Sequence, residues 1–236
     1  MNSTSIHQSL FFLAICLSLA GCAGTKVLEV DANRFPVPLM SQNAVSLGVL
    51  LDDDIRSFVH KETIEKKGSW EVVLGPVQQT LFTNLSTGVF ESFEFVNTTS
   101  APHLDGVLKP TIKEVQFSLP SQTRSNYYEV WIRYDFELFD REGGQVGQWS
   151  LPAYGKANKN NFGSKSVGLQ EAALAACRDA MAFFSINFAK EPAVYKWLTA
   201  GKPLMPKAPP QEAEEDAQED AESEPTSTTP TTGTTT

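Results

Sequence analysis

The sequence predicts an α+β fold: two helices packed on one face of a mostly antiparallel sheet, in the order β-α-β-β-β-β-α, as a two-layer sandwich. Three features carry that reading. Across residues 127–139 apolar and polar side chains alternate, which marks a strand with one face on the core and one face wetter. The turn 140–144, Asp-Arg-Glu-Gly-Gly, is followed by a second apolar-rich segment, the pattern of a hairpin. Residues 75–90 and 166–190 instead space their apolar side chains three and four apart, as amphipathic helices do.

Taken in order, residues 43–51 form a first strand with Val45, Leu47 and Val49 on one face, ended by Asp52-Asp53-Asp54. A polar connection rich in Lys and Glu follows, as far as residues 69–73. Gly75-Pro76 opens the first helix, because proline suits the first helical position. Its buried stripe is Val77, Leu81, Leu85 and Val89, with Phe82 beside it. Residues 90–96 make a short strand. Residues 105–117 make another, in which Pro110 calls for an edge position or a bulge. The hairpin 127–139 and 145–154 comes next, then an exposed loop over 155–165. Ser166 caps the second helix, whose stripe is Leu174, Cys177, Met181, Phe184 and Phe188, with Ala173, Ala176 and Ala180 allowing close approach to a sheet. Pro192 ends it, and Tyr195 and Trp197 are placed to pack back as a final turn.

Four segments divide the chain: a signal peptide over 1–21, a tether over 22–42, the α+β domain over 43–200, and a tail over 201–236. The tail is Pro-rich, then acidic, then Thr-rich, a composition too poor in apolar residues to fold. Eight acids and no Lys or Arg fall in 209–236, so the tail carries most of the formal charge of −9 and the rest of the chain is near neutral. No basic footprint for nucleic acid results. The tail suits solubilisation, O-glycosylation of its threonines, or a reach to a basic partner. Of three cysteines, Cys16 lies in the signal segment and Cys22 at its end, which leaves Cys177 without a disulfide partner.

The first segment carries the most specific motif. An apolar block over 10–20 has the length of a secretory h-region and is short for a membrane span. It ends in Leu19-Ala20-Gly21-Cys22, which resembles the bacterial lipobox in all four positions, although the preceding residues contain no Lys or Arg. The resemblance implies a diacylglyceryl group on the thiol of Cys22, cleavage before it, and an N-acyl chain on the new amine. Two or more chains hold a protein stably at a membrane, since each buried methylene contributes about 0.8 kcal/mol. No Asp follows the cysteine, and by the sorting rule of such proteins Ala23 implies the outer membrane, on its periplasmic face.

Lipobox and α+β pattern together resemble small Gram-negative envelope lipoproteins of the LptE, YajG and CsgG-like type. Over roughly 43–190 the resemblance rests on Val45-Ser-Leu-Gly-Val49, the helix 75–90, Phe93-Glu-Phe-Val96, Asp105-Gly-Val-Leu108, the turn 140–144 and the Ala-rich run 172–180. It implies a non-enzymatic accessory or assembly factor of an envelope transport or export complex, with an outer-membrane barrel or transporter as protein partner. The alternatives are an enzyme acting on envelope glycans or peptidoglycan, and an oligomeric ring or pore component.

No catalytic or metal constellation stands out, and no cofactor is expected beyond the acyl chains on Cys22. Asp52-Asp53-Asp54 reads as a solvated strand end, and Cys177 as a small buried apolar residue. The aromatics Tyr127, Trp131 and Trp149 are the candidate partner surface, by an exposed aromatic sheet face or a sheet edge.

Overall fold

The computed structural model describes residues 24–200. Strand β1 is Lys26–Glu29, followed by β2 (Asn43–Val49), the single-turn helix α1 (Asp53–Arg56), β3 (Val59–Ile64) and β4 (Gly68–Val73). Helix α2 (Gly75–Val89) leads into β5 (Phe90–Phe95) and β6 (Gly106–Ser118). After the short helix α3 (Pro120–Thr123) come β7 (Tyr127–Asp140), β8 (Gln145–Asn158), helix α4 (Lys165–Asn187) and helix α5 (Pro192–Thr199). The main sheet runs β5-β2-β6-β7-β8, and a second sheet runs β1-β4-β3. Within the main sheet β2 is parallel to both neighbours, while the two long pairings β6–β7 and β7–β8 are antiparallel. The expected order is present as β2-α2-β5-β6-β7-β8-α4, with α1, β3 and β4 inserted after β2.

Alternation along β7 does what the sequence pattern requires. Tyr128, Val130, Ile132, Tyr134, Phe136 and Leu138 are all buried. Both predicted helical stripes face them: Val77, Leu81, Phe82, Leu85 and Val89 from α2, and Leu174, Cys177, Met181 and Phe184 from α4 are buried. Aromatic rings close the centre. Phe136 lies 4.9 Å from Phe184 and 5.5 Å from Trp149, and Phe90 lies 5.1 Å from Phe188. Each such ring stabilises the core by roughly 1.5–3 kcal/mol through buried area, so this cluster is the main link between α4, β7, β8 and the α2–β5 junction.

One polar chain crosses this core. The hydroxyl of Tyr134 donates to Gln78 Oε1 at 3.2 Å, and Gln78 Nε2 donates to the Leu74 carbonyl at 3.0 Å. Gln78 is fully buried, and these bonds satisfy groups whose burial would otherwise be costly.

Several expectations are corrected. Residues from Lys26 onward, expected as tether, are built into the fold: β1 pairs with β4, and Leu28, Val30 and Phe35 are buried. The polar connection is the β3–β4 hairpin, in which only Ile64 of β3 is buried, so β3 shows no apolar alternation. Its turn places Lys66 at φ 60° and Gly68 at φ 87°. Strand β8 continues through the expected loop to Asn158 because Gly155 and Ala157 are small enough to lie under α4. A Cβ on Gly155 would sit 2.1 Å from the Ala172 carbonyl oxygen and 2.2 Å from the Ala176 nitrogen. The cap of α4 is Ser164, whose hydroxyl accepts from the Val167 N–H at 3.2 Å. Beyond α4 the chain makes a short turn, and Pro192 then opens α5 at its first turn. Trp197 packs on the core while Tyr195 stays exposed. Pro110 falls where β6 has lost its β2 neighbour, since their register ends at Leu108, so its missing N–H breaks no ladder there. The β6–β7 register shifts shortly after, between Ile112 and Glu114.

Candidate partner-binding face

The outer face of β6–β7–β8 lies opposite the helices. Register fixes its rows: Gln116, Trp131 and Tyr154 stand side by side, Ser118, Glu129 and Lys156 above them, and Glu114, Arg133 and Pro152 below. The rings of Trp131 and Tyr154 are 5.2 Å apart, tilted by 38°. Both remain well exposed, at 40% and 38%. Beside them Tyr127 lies under the Lys156 ammonium, 5.1 Å from its ring centre, close enough for a cation–π contact.

Polar groups hold these rings in place. Tyr154 donates its hydroxyl to Glu129 Oε1 at 2.7 Å, and Ser118 donates to Glu129 Oε2 at 3.0 Å. Partial burial first, and the hydrogen bond to Glu129 second, push the Tyr154 phenol up to about 12. Arg133 pairs with Glu114 at 3.0 Å. Between Trp131, Arg133, Glu114, Gln116 and Pro152 opens a shallow cleft of about 220 Å³. The arrangement is an amphipathic aromatic platform rimmed by charge, the composition common at protein interfaces.

Strand β8 borders this face, and its free edge is closed from the other side. The carboxylate of Asp179 on α4 accepts from the Tyr154 backbone N–H at 2.9 Å, and the α4 backbone lies against Gly155. The edge of β8 is thereby capped at Tyr154, which hinders strand addition there and leaves the ring-bearing face open.

Of the three aromatics expected here, Tyr127 and Trp131 share this face and Trp149 does not. Trp149 turns inward and stacks on Phe136 at an interplanar angle of 16°. A β-bulge is the reason. Phe139 pairs with Gln145, but Leu138 pairs with Gly147, leaving Val146 as the extra residue. Counted from the turn without that bulge, Trp149 would lie opposite Asp135 on the outer face and Tyr154 opposite Val130 on the inner one. The bulge exchanges them, because one extra residue flips every later side chain.

The lipobox residues Leu19, Ala20, Gly21 and Cys22 lie outside the described residues. Asp52 caps α1, accepting from the Ile55 N–H at 3.1 Å, and pairs with Lys109 at 3.4 Å. Among the described residues there is no group of three or more His, Cys, Asp or Glu side chains that would hold a metal ion, and no helix is long and apolar enough to cross a membrane. Cys177 is buried, and burial pushes its thiol up to about 12, which makes it a poor nucleophile.

No family model matches the chain, and no curated protein matches it. Among the solved structures that resemble it are two distant ones. One is a Xanthomonas campestris protein of the family DUF330, with 11% identity and a TM-score of 0.43, covering 71% of this chain and 98% of that one. The other is a candidate lipoprotein of Caulobacter crescentus CB15, with 18% identity and a TM-score of 0.30, covering 41% of this chain and 67% of that one. Both likenesses are too remote to carry a functional argument.

Proposed function

We propose that this chain is an envelope lipoprotein, anchored through Cys22 to the outer membrane, whose domain serves a transport or export complex as a non-enzymatic accessory factor. The observation that carries the binding role is the exposed Trp131–Tyr154 pair on an open sheet face, in which Glu129 fixes Tyr154 and Tyr154 packs on Trp131. Ordered aromatic rings with a polar rim are the usual energetic centre of a protein interface, and rings already fixed lose little freedom on binding. Supporting the anchor is the lipobox sequence Leu19-Ala20-Gly21-Cys22 with Ala23 behind it.

Crosslinking of intact cells, recovery through a tag after Thr236 and mass spectrometry of what co-purifies test the reading. It expects one envelope protein in near-stoichiometric amount, lost on Trp131→Ala, and an acylated Cys22 at the mature N-terminus. Recovery of abundant porins alone, unchanged by Trp131→Ala, would remove the accessory role.

A further inference from the structure

One end of the fold is strongly basic, and it is the end at which the described chain begins. Strand β6 finishes there at Ser118, β7 starts at Tyr127, β8 finishes at Asn158 and α4 starts at Lys165. Trp70 lies 6.2 Å from Phe117 of β6 and is the register partner of Lys26, so the start of β1 and the β3–β4 turn belong to the same end. Lys26 Nζ donates to the Lys67 carbonyl at 3.0 Å and stands 4.8 Å over the Trp70 ring. Lys26 of β1 and Lys66 and Lys67 of the β3–β4 turn thus join Arg124, Lys156, Lys159 and Lys165, which lie on and beside the ends of β7, β8 and α4. Among the described residues, the acids beside these seven cations are Glu62, Glu65, Glu129 and Glu171, the last lining one cavity with Lys156.

The two segments between the long elements are the purest part of this pattern. Residues 119–128 and 155–170 contain Arg124, Lys156, Lys159 and Lys165 and no Asp or Glu. They meet where Lys159 donates its backbone N–H to the Asn126 carbonyl at 2.8 Å. Between them opens a cavity of about 250 Å³, lined by Leu119, Pro120, Ser121, Tyr128, Lys159 and Lys165. Tyr128 is 6% exposed, its ring packed so closely on Gly168 that no Cβ fits there, and its hydroxyl has no hydrogen-bond partner among the described residues. Tyr128, with a free phenolic donor, and the cationic residues Lys159 and Lys165 line that cavity, the last at the first position of α4. At the opposite end Asp105, Asp140, Glu142 and Glu191 gather with Arg141, Lys190 and Lys196, so charge there roughly cancels, and the eight acids of the tail follow in sequence from that end.

We propose that this basic end is a membrane-docking surface for the phosphate headgroups of anionic phospholipids. The inference rests on the reading of Cys22 as the anchor. Cys22 precedes Lys26 by four residues, a reach of about 14 Å when fully extended, so an acyl anchor at Cys22 draws this end onto the bilayer. Screening in the cell acts over about 8 Å, and a domain held so close keeps its lysines within range of the headgroups. The cavity seats one headgroup phosphate between Lys159, Lys165 and the Tyr128 hydroxyl. Docking in this way points the neutral end, where the described residues finish at Ala200, away from the membrane.

The test uses the mature chain, residues 22–236, with Cys22→Ser so that no acyl chain contributes. It is sedimented with vesicles of phosphatidylglycerol and phosphatidylethanolamine, or of phosphatidylcholine alone. Binding is expected to the anionic vesicles only, to fall with salt, and to weaken at least about fivefold for each lysine reversed in Lys66→Glu/Lys67→Glu or Lys159→Glu/Lys165→Glu. Reversal of Lys190 and Lys196 at the far end leaves it unchanged, and circular dichroism confirms that each variant is folded. No binding to anionic vesicles, equal binding to both kinds, or indifference to the reversals overturns the proposal. The mass of the wild-type N-terminal peptide is read separately. An unmodified Cys22 ends the anchor reading itself, whereas an acylated Cys22 with failed vesicle binding ends only this inference.

Discussion

Trp131 and Tyr154 meet across the β7–β8 ladder with ring centres 5.2 Å apart, on the face of the sheet that the helices leave open. Neither ring belongs to the buried core; Tyr154 is held by its hydrogen bond to Glu129, and Trp131 packs on Tyr154. If they serve binding, Trp131→Ala or Tyr154→Ala abolishes partner recovery while lowering unfolding free energy by only about 1–2 kcal/mol, from the cross-strand ring pair and, for Tyr154, its hydrogen bond to Glu129. Urea denaturation of each variant beside the co-purification assay checks the separation of the two effects.

The buried chain from Tyr134 through Gln78 to the Leu74 carbonyl joins β7 to the start of α2. Tyr134→Phe leaves Gln78 Oε1 buried with a lost partner, at a cost of about 1–3 kcal/mol. Replacing both by apolar residues, Tyr134→Phe with Gln78→Leu, is expected to cost less than the sum of the single changes. A double-mutant cycle by equilibrium unfolding measures that coupling; simple additivity would show that the bond contributes nothing.

Gly155 marks the tightest approach of β8 to α4. The obstructing atoms are helix backbone, at 2.1 and 2.2 Å from the place an added methyl carbon would take. Gly155→Ala therefore forces the helix off the sheet and destabilises by about 2–3 kcal/mol. Thermal melting reads this directly, and a variant as stable as the parent would contradict the packing.

Two groups make the behaviour at high pH specific. Tyr154 is held protonated by partial burial and by its hydrogen bond to Glu129, with its phenol up at about 12 against an ordinary 10. The folded state therefore binds more protons than the unfolded state between those values. Stability from this group is complete below pH 10 and is lost as pH rises toward 12. Ultraviolet titration of native wild type against Tyr154→Phe should remove a late-ionising phenol. Cys177, raised to about 12 by burial, is expected to resist thiol reagents at pH 8 in the native protein and to react once denatured. Fast native labelling would show an open thiol.

Much of this fold is legible in the residues themselves. Strand β7 alternates because one face meets the helices and the other meets water, and the stripes of α2 and α4 are long enough to show their period. Strands β1 and β3 escape notice for the opposite reason. Each buries a single side chain, Leu28 or Ile64, so no alternation is written into them, and their pairing depends on β4 between them. The outer aromatic face is half legible. Tyr127 and Trp131 follow from the alternation of β7, whereas the place of Trp149 and Tyr154 hangs on the bulge at Val146, which leaves no mark in composition. Gly147 beside it is the one local hint: its Cβ would lie 2.4 Å from that of Ala193, so the bulged strand and α5 are fitted to each other there.

The most direct test of the account is a photo-crosslinking amino acid placed in living cells at position 131, and separately at position 149. The account predicts one dominant protein adduct from position 131, on the open face, and none from position 149, stacked on Phe136. Adducts from neither position, or equal adducts from both, would contradict the assignment of this face as the partner-binding surface.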